Sequence, residues 1–65
     1  MKIMVYLHKN GENISYGELW KSIKSKERKT WTPLEKANKV VEELNNLLPN
    51  ACVNQKTMYY YCEVQ

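Results

Sequence analysis

The clearest periodic stretch runs from Thr32 to Leu48, TPLEKANKVVEELNNLL. Leu34, Ala37, Val41, Leu44 and Leu48 recur at three-to-four spacing and form one apolar stripe, with Val40 and Leu47 widening its flank. Glu35, Lys36, Lys39, Glu42, Glu43 and Asn46 fall on the other side. Both ends are written in. Thr32 is a good N-cap, Pro33 suits the first helical position, and Glu35 stands where a capping box needs a carboxylate. Pro49 stops the helix by biasing its predecessor away from helical geometry. The pattern predicts an amphipathic helix packed on a core.

The flanking patterns are shorter. In MKIMVYLHKN, Ile3, Val5 and Leu7 alternate as a strand would, whereas Ile3, Met4 and Leu7 suit two turns of helix. Gly11 after Lys9 and Asn10 reads as a helix C′ glycine and tips the expectation to helix. Ser15 and Glu18 form a second capping box, with Ile14 able to staple onto Leu19. Tyr16, Leu19, Trp20 and Ile23 then give a short second helix, with Trp20 in the core. After Pro49 the period becomes two. Ala51 and Val53, then Met58, Tyr60, Cys62 and Val64, share one face of a predicted β-hairpin turning at 54–57, while Tyr59, Tyr61 and Glu63 point the other way. Cys52 and Cys62 fall on opposite faces in that register, so no disulfide is expected, whereas a longer turn would bring them face to face.

The expected order is helix, helix, basic connection, long helix, hairpin: one α+β domain over residues 1–65. From Ile3 to Val64 this order resembles a winged helix-turn-helix domain. The residues carrying the likeness are Ile3, Tyr6, Leu7, Lys9, Asn10, Gly11, Ile14, Ser15, Tyr16, Glu18 and Leu19, with the tyrosine-bearing strand Met58 to Tyr61. The chain is most similar in this to response-regulator DNA-binding domains. The resemblance implies three helices followed by a C-terminal hairpin, duplex DNA as partner and a role in transcription regulation. It makes Thr32 to Leu48 the recognition helix, with Thr30, Trp31 and Thr32 at its phosphate-facing start and Lys36, Asn38 and Lys39 near its exposed face. Lys24, Lys26, Arg28 and Lys29 would contact the backbone, and Lys56 would stand at the wing tip. Winged helices often pair, so a homodimer is open.

Composition bears on that expectation from both sides. The chain has 65 residues and a formal net charge of +3, which suits a polyanion. All seven acids are glutamate, and Glu35, Glu42 and Glu43 occupy the outward middle of the main helix, where a reading helix exposes Arg, Lys, Asn or Gln. The alternative is a small inhibitor or adaptor that binds a host protein through Trp31, Glu42, Glu43, Tyr59 and Tyr61, since Tyr and Trp are favoured at interface hot spots. Abundant Lys, Asn and Tyr fit an AT-rich genome, and the small size fits a phage or mobile element. No stretch approaches the roughly 20 apolar residues of a membrane span. No basic-then-apolar leader opens the chain, and a cytoplasmic location is expected. Enzyme chemistry has little to build on: His8 is the one histidine, and aspartate is absent. Two cysteines ten residues apart lack zinc spacing, and two isolated glycines make no phosphate loop, so neither metal nor cofactor is expected.

Overall fold

A computed structural model describes residues 2–24 and 28–65. Two strands open the chain, β1 (Ile3–Lys9) and β2 (Glu12–Gly17), followed by a 3-10 turn (Leu19–Lys21). Helix α1 (Pro33–Asn46), a short helix α2 (Asn50–Asn54) and strand β3 (Met58–Val64) complete it. The sheet is antiparallel with order β2-β1-β3. This α+β arrangement replaces the expected three helices and C-terminal hairpin.

The first correction turns on Asn10-Gly11. Asn10 has φ 51° and Gly11 φ 86°, the left-handed pair of a type I′ turn, and Lys9 faces Glu12 across it. Asn-Gly between alternating apolar positions is a hairpin signal, and here it overrides the helical reading of 2–9. Ser15 consequently sits in β2 rather than capping a helix, and its Oγ accepts from the Gly17 N–H at 3.3 Å. Gly17, at φ 62°, then turns the chain off the strand, so the second helix shrinks to the 3-10 turn.

The second correction is at the C-terminal end. Residues 51–53 lie in α2, where Cys52 and Val53 donate their N–H groups to the Pro49 carbonyl. The tyrosine strand has no partner there. It pairs instead with β1, from Ile3 opposite Val64 to Lys9 opposite Met58. β1 is thus the central strand, and its alternation decides the two faces of the sheet.

Ile3 and Val5 point to the helix side and form the core with Trp20, Ala37 and Val40. Leu34, Val41, Leu44, Tyr60 and Cys62 pack against it. Trp20 is buried as expected, and its indole N–H donates to the Ile3 carbonyl at 3.0 Å. That carbonyl lies beyond the last β2 partner of β1, so the indole satisfies an acceptor the strand has left open. Helix α1 keeps its predicted start. Thr32 Oγ1 accepts from the Glu35 N–H, and the Glu35 carboxylate accepts from the Thr32 N–H, both at 3.3 Å. Its end differs: Leu47, expected on the apolar flank, is the C-cap residue and is 82% exposed.

An uncovered tyrosine face and a dispersed basic set

Helix α1 lies over β1 and β3 on one face of the sheet. The other is formed by the side chains that alternate with the core: Met4, Tyr6 and His8 from β1, Asn13 and Ser15 from β2, and Tyr59, Tyr61 and Glu63 from β3. Register brings the aromatic ones together, because Tyr6 lies opposite Tyr61 and His8 opposite Tyr59. The Tyr6 and Tyr61 rings stack at 5.3 Å with planes 18° apart. His8 and Tyr59 meet at 5.1 Å, and Tyr59 reaches Tyr61 at 5.9 Å. These separations lie in the range where aromatic pairs attract.

The row is also held from its rim. Gln65 Nε2 donates to the Tyr6 hydroxyl at 2.6 Å, and the His8 ring nitrogen Nδ1 lies 3.0 Å from Asn13 Oδ1. The four rings are half-buried, and Tyr59, at the edge of the row, also borders a hollow lined by Asn45, Val53 and Lys56. Tyr6 and Tyr61 meet face to face, whereas the His8–Tyr59 and Tyr59–Tyr61 contacts are tilted. Desolvation by these neighbours, with the Glu63 carboxylate beside it, raises the Tyr61 pKa above the usual tyrosine value. At the strand positions of this face among the described residues, Glu63 is the one charged side chain. Lys2 stands at its rim, where its backbone exchanges bonds with Gln65.

The residues expected to contact DNA are spread along the chain over the approach to α1, α1 itself and the turn before β3. Lys24, Arg28, Lys29 and Thr30 are exposed on the approach to α1, whereas Lys26 lies outside the described residues. Thr32 is the helix cap. Lys36 is half-buried, with Nζ 6.0 Å from the Trp20 ring centroid, and Lys21 stands 5.7 Å from the same ring. Asn38 accepts from the Cys62 thiol at 3.1 Å, and Lys39 pairs with Glu42 at 3.5 Å. Trp31, Glu35, Asn38, Lys39 and Glu42 line one shallow groove, so the exposed side of α1 carries paired and acidic groups. Lys56 is not at a wing tip. It sits at φ 57° in the turn between α2 and β3, far along the sequence from the basic connection.

Of the residues expected to bind protein, Tyr59 and Tyr61 lie together on the open face, while Trp31, Glu42 and Glu43 belong to α1 and its approach. Tyr6, His8 and Met4 complete the face and were missed. The signal for them was the alternation of Ile3, Val5 and Leu7, which sends the even-numbered residues outward once 3–9 is a strand.

The remaining chemistry is sparse. Cys52 and Cys62 are free thiols, and burial raises the Cys62 pKa. Hydrogen bonding to Lys21 lowers the Glu18 pKa. No helix among the described residues is long and apolar enough to cross a membrane. No family model, curated protein or solved structure matches the chain.

Proposed function

We propose that this protein is a small protein-binding module, an inhibitor or adaptor, and that it docks a host protein on the uncovered tyrosine face. The observation that carries the reading is the registered row Tyr6, Tyr61, Tyr59 and His8 on the sheet face opposite α1. Tyrosines prepositioned by stacking lose little side-chain freedom on binding, and they offer apolar area with a hydroxyl at its edge. Such residues dominate interface energetics. Single-stranded nucleic acid fits this face less well. It needs ring faces on which bases stack and cations for phosphates, whereas Tyr6 and Tyr61 already stack on each other and Glu63 is the one charged side chain at the face's strand positions among the described residues, Lys56 standing near Tyr59 at the edge.

The test is capture from a lysate of the host cell, comparing the wild type with Tyr59→Ser/Tyr61→Ser. A protein retained by the wild type, lost with the double variant, and bound again when purified supports the reading. Capture that ignores both tyrosines contradicts it.

Duplex DNA binding with a regulatory role is the second reading, favoured by Lys24, Arg28 and Lys29, each exposed on the approach to α1 in a chain of net charge +3. Phosphate contacts of that kind give affinity that falls steeply with salt. Fluorescence anisotropy of a random-sequence duplex at two salt concentrations tests it, and absence of binding at low salt removes it.

A further inference from the structure

The two edges of the sheet differ. On β3, the side chain of Asn45 grips the backbone of Tyr60, so the outward edge is occupied at its middle. On β2, every residue from Glu12 to Tyr16 is exposed. Its pairing with β1 uses alternate residues: Ile14 faces Leu7 and Glu12 faces Lys9. β1 in turn gives its even-numbered residues to β3, as the Asn10–Thr57 and Lys2–Gln65 backbone bonds at either end fix. Asn13 and Ser15 therefore aim their backbone N–H and C=O groups away from the sheet. Edge strands are usually blunted by Lys, Pro or a covering element, and β2 has neither residue. It has a bulge instead, where Tyr16 is left over between Ser15 and Gly17, and this ends the usable edge at Tyr16.

The same strand carries uncovered apolar side chains. Ile14 is 39% and Tyr16 is 42% exposed on the helix side of the sheet, because α1 lies over β1 and β3. An unguarded edge and an unfilled apolar margin thus coincide on one strand.

We infer that β2 is a self-pairing edge, and that its occupant is β2 of a second copy, antiparallel about a two-fold axis through Ile14. The sequence is self-complementary in that register. Ile14 meets Ile14 of the second copy, the close, non-hydrogen-bonded kind of pair. Asn13 meets Ser15 of the second copy, and each such pair exchanges both backbone bonds. Glu12 falls opposite Tyr16, so the one charge of β2 never meets itself. Pairing then joins two three-stranded sheets into one of six, an isologous contact that closes on itself. A strand pair this short buries on the order of 300 Å² per copy, well under the roughly 800 Å² of a stable complex, so the dimer is weak.

Sedimentation velocity at about 5 μM and about 1 mM tests the inference. The wild type is expected to move from the 7.7 kDa monomer towards twice that mass over this range. Ile14→Glu sets two carboxylates against each other on the axis, and Asn13→Pro removes an outward N–H that β1 does not use. Both are expected to stay monomeric at 1 mM, with circular dichroism unchanged. Tyr61→Ser, on the opposite face, is expected to dimerise as the wild type does. A wild type that is monomeric at 1 mM overturns the inference. So does a dimer that survives Ile14→Glu in a folded protein, or one that Tyr61→Ser abolishes.

Discussion

The carboxamide of Asn45 acts as a fourth strand for a single residue. Its Oδ1 accepts from the Tyr60 N–H at 2.6 Å, and its Nδ2 donates to the Tyr60 carbonyl at 3.1 Å. Both Tyr60 groups point away from β1, so without Asn45 they would face outward unpaired. One side chain therefore satisfies the sheet edge and fixes where α1 lies along β3.

Asn45→Ala is expected to leave that part-buried pair unsatisfied, at a cost of about 1–3 kcal/mol. For a domain of this size each kcal/mol lowers the melting temperature by roughly 4–8 °C. Asn45→Asp keeps the acceptor for the N–H but loses the donor to the carbonyl, so it should fall between wild type and alanine only if the acceptor half matters. Thermal melts of both variants check this. An unchanged melting temperature for Asn45→Ala would mean the bidentate contact contributes nothing.

The Asn10-Gly11 turn makes a separate prediction. A Cβ built on Gly11 meets nothing within 4 Å, so the cost of Gly11→Ala is one of backbone conformation alone. Holding alanine at a positive φ is expected to cost about 1 kcal/mol. Thr32→Ala should cost a similar amount, about 1 kcal/mol, by removing the cap acceptor at α1. The two sites belong to different elements and share no partner, so the double variant should lose the sum in a urea melt.

How far the sequence carried the fold follows from which signals were local. The α1 capping box and its stripe are local, and they were legible at the start of the helix. Asn10-Gly11 was ambiguous because the same glycine ends helices and turns hairpins, and only the alternation of Ile3, Val5 and Leu7 distinguishes the two. Weighing that alternation first would have turned residues 3–17 into a hairpin. The partner of the tyrosine strand was not legible. Its alternation fixed which side chains share a face, and Tyr59 and Tyr61 do point away from the core. But Met58–Val64 pairs with β1, more than fifty residues earlier at the Ile3–Val64 end, and no local pattern encodes that. The open face could not be assembled from sequence for the same reason, since Tyr6 and His8 join it only through this long-range pairing. The basic connection was legible as charge, whereas its relation to α1 as a groove-reading unit was not, because α1 lies along a sheet.

Tyr61 predicts an alkaline signature. Its folded pKa is raised, so the neutral phenol is the form the fold favours. Its contribution to stability is present below the ordinary tyrosine pKa of about 10 and is lost as pH rises through the folded value. A spectrophotometric tyrosine titration should therefore contain a late phase that Tyr61→Phe removes. Glu63→Gln, which takes away the neighbouring carboxylate, should move that phase earlier. A titration in which Tyr61→Phe removes an ordinary phase would contradict the account.

Cys62 should be slow to alkylate at neutral pH. The thiolate is the nucleophile, and burial raises the Cys62 pKa while Sγ donates to Asn38 Oδ1. Alkylation by iodoacetamide, followed by peptide mass spectrometry across pH, is expected to modify Cys62 with a pH dependence displaced to the alkaline side of a free thiol. Ordinary thiol behaviour at Cys62 would mean that its packing against the core is looser than described.

The most direct test of the central claim is the affinity of the captured, purified partner for three forms of the protein. These are the wild type, Tyr59→Ser/Tyr61→Ser and Arg28→Glu/Lys29→Glu, measured by calorimetry at physiological salt. If the tyrosine face is the docking surface, the tyrosine pair weakens binding at least about tenfold, while the charge reversal, on the far approach to α1, leaves it nearly unchanged. The reverse order, with binding lost on charge reversal and kept without the tyrosines, would contradict the account and move the site to the basic connection.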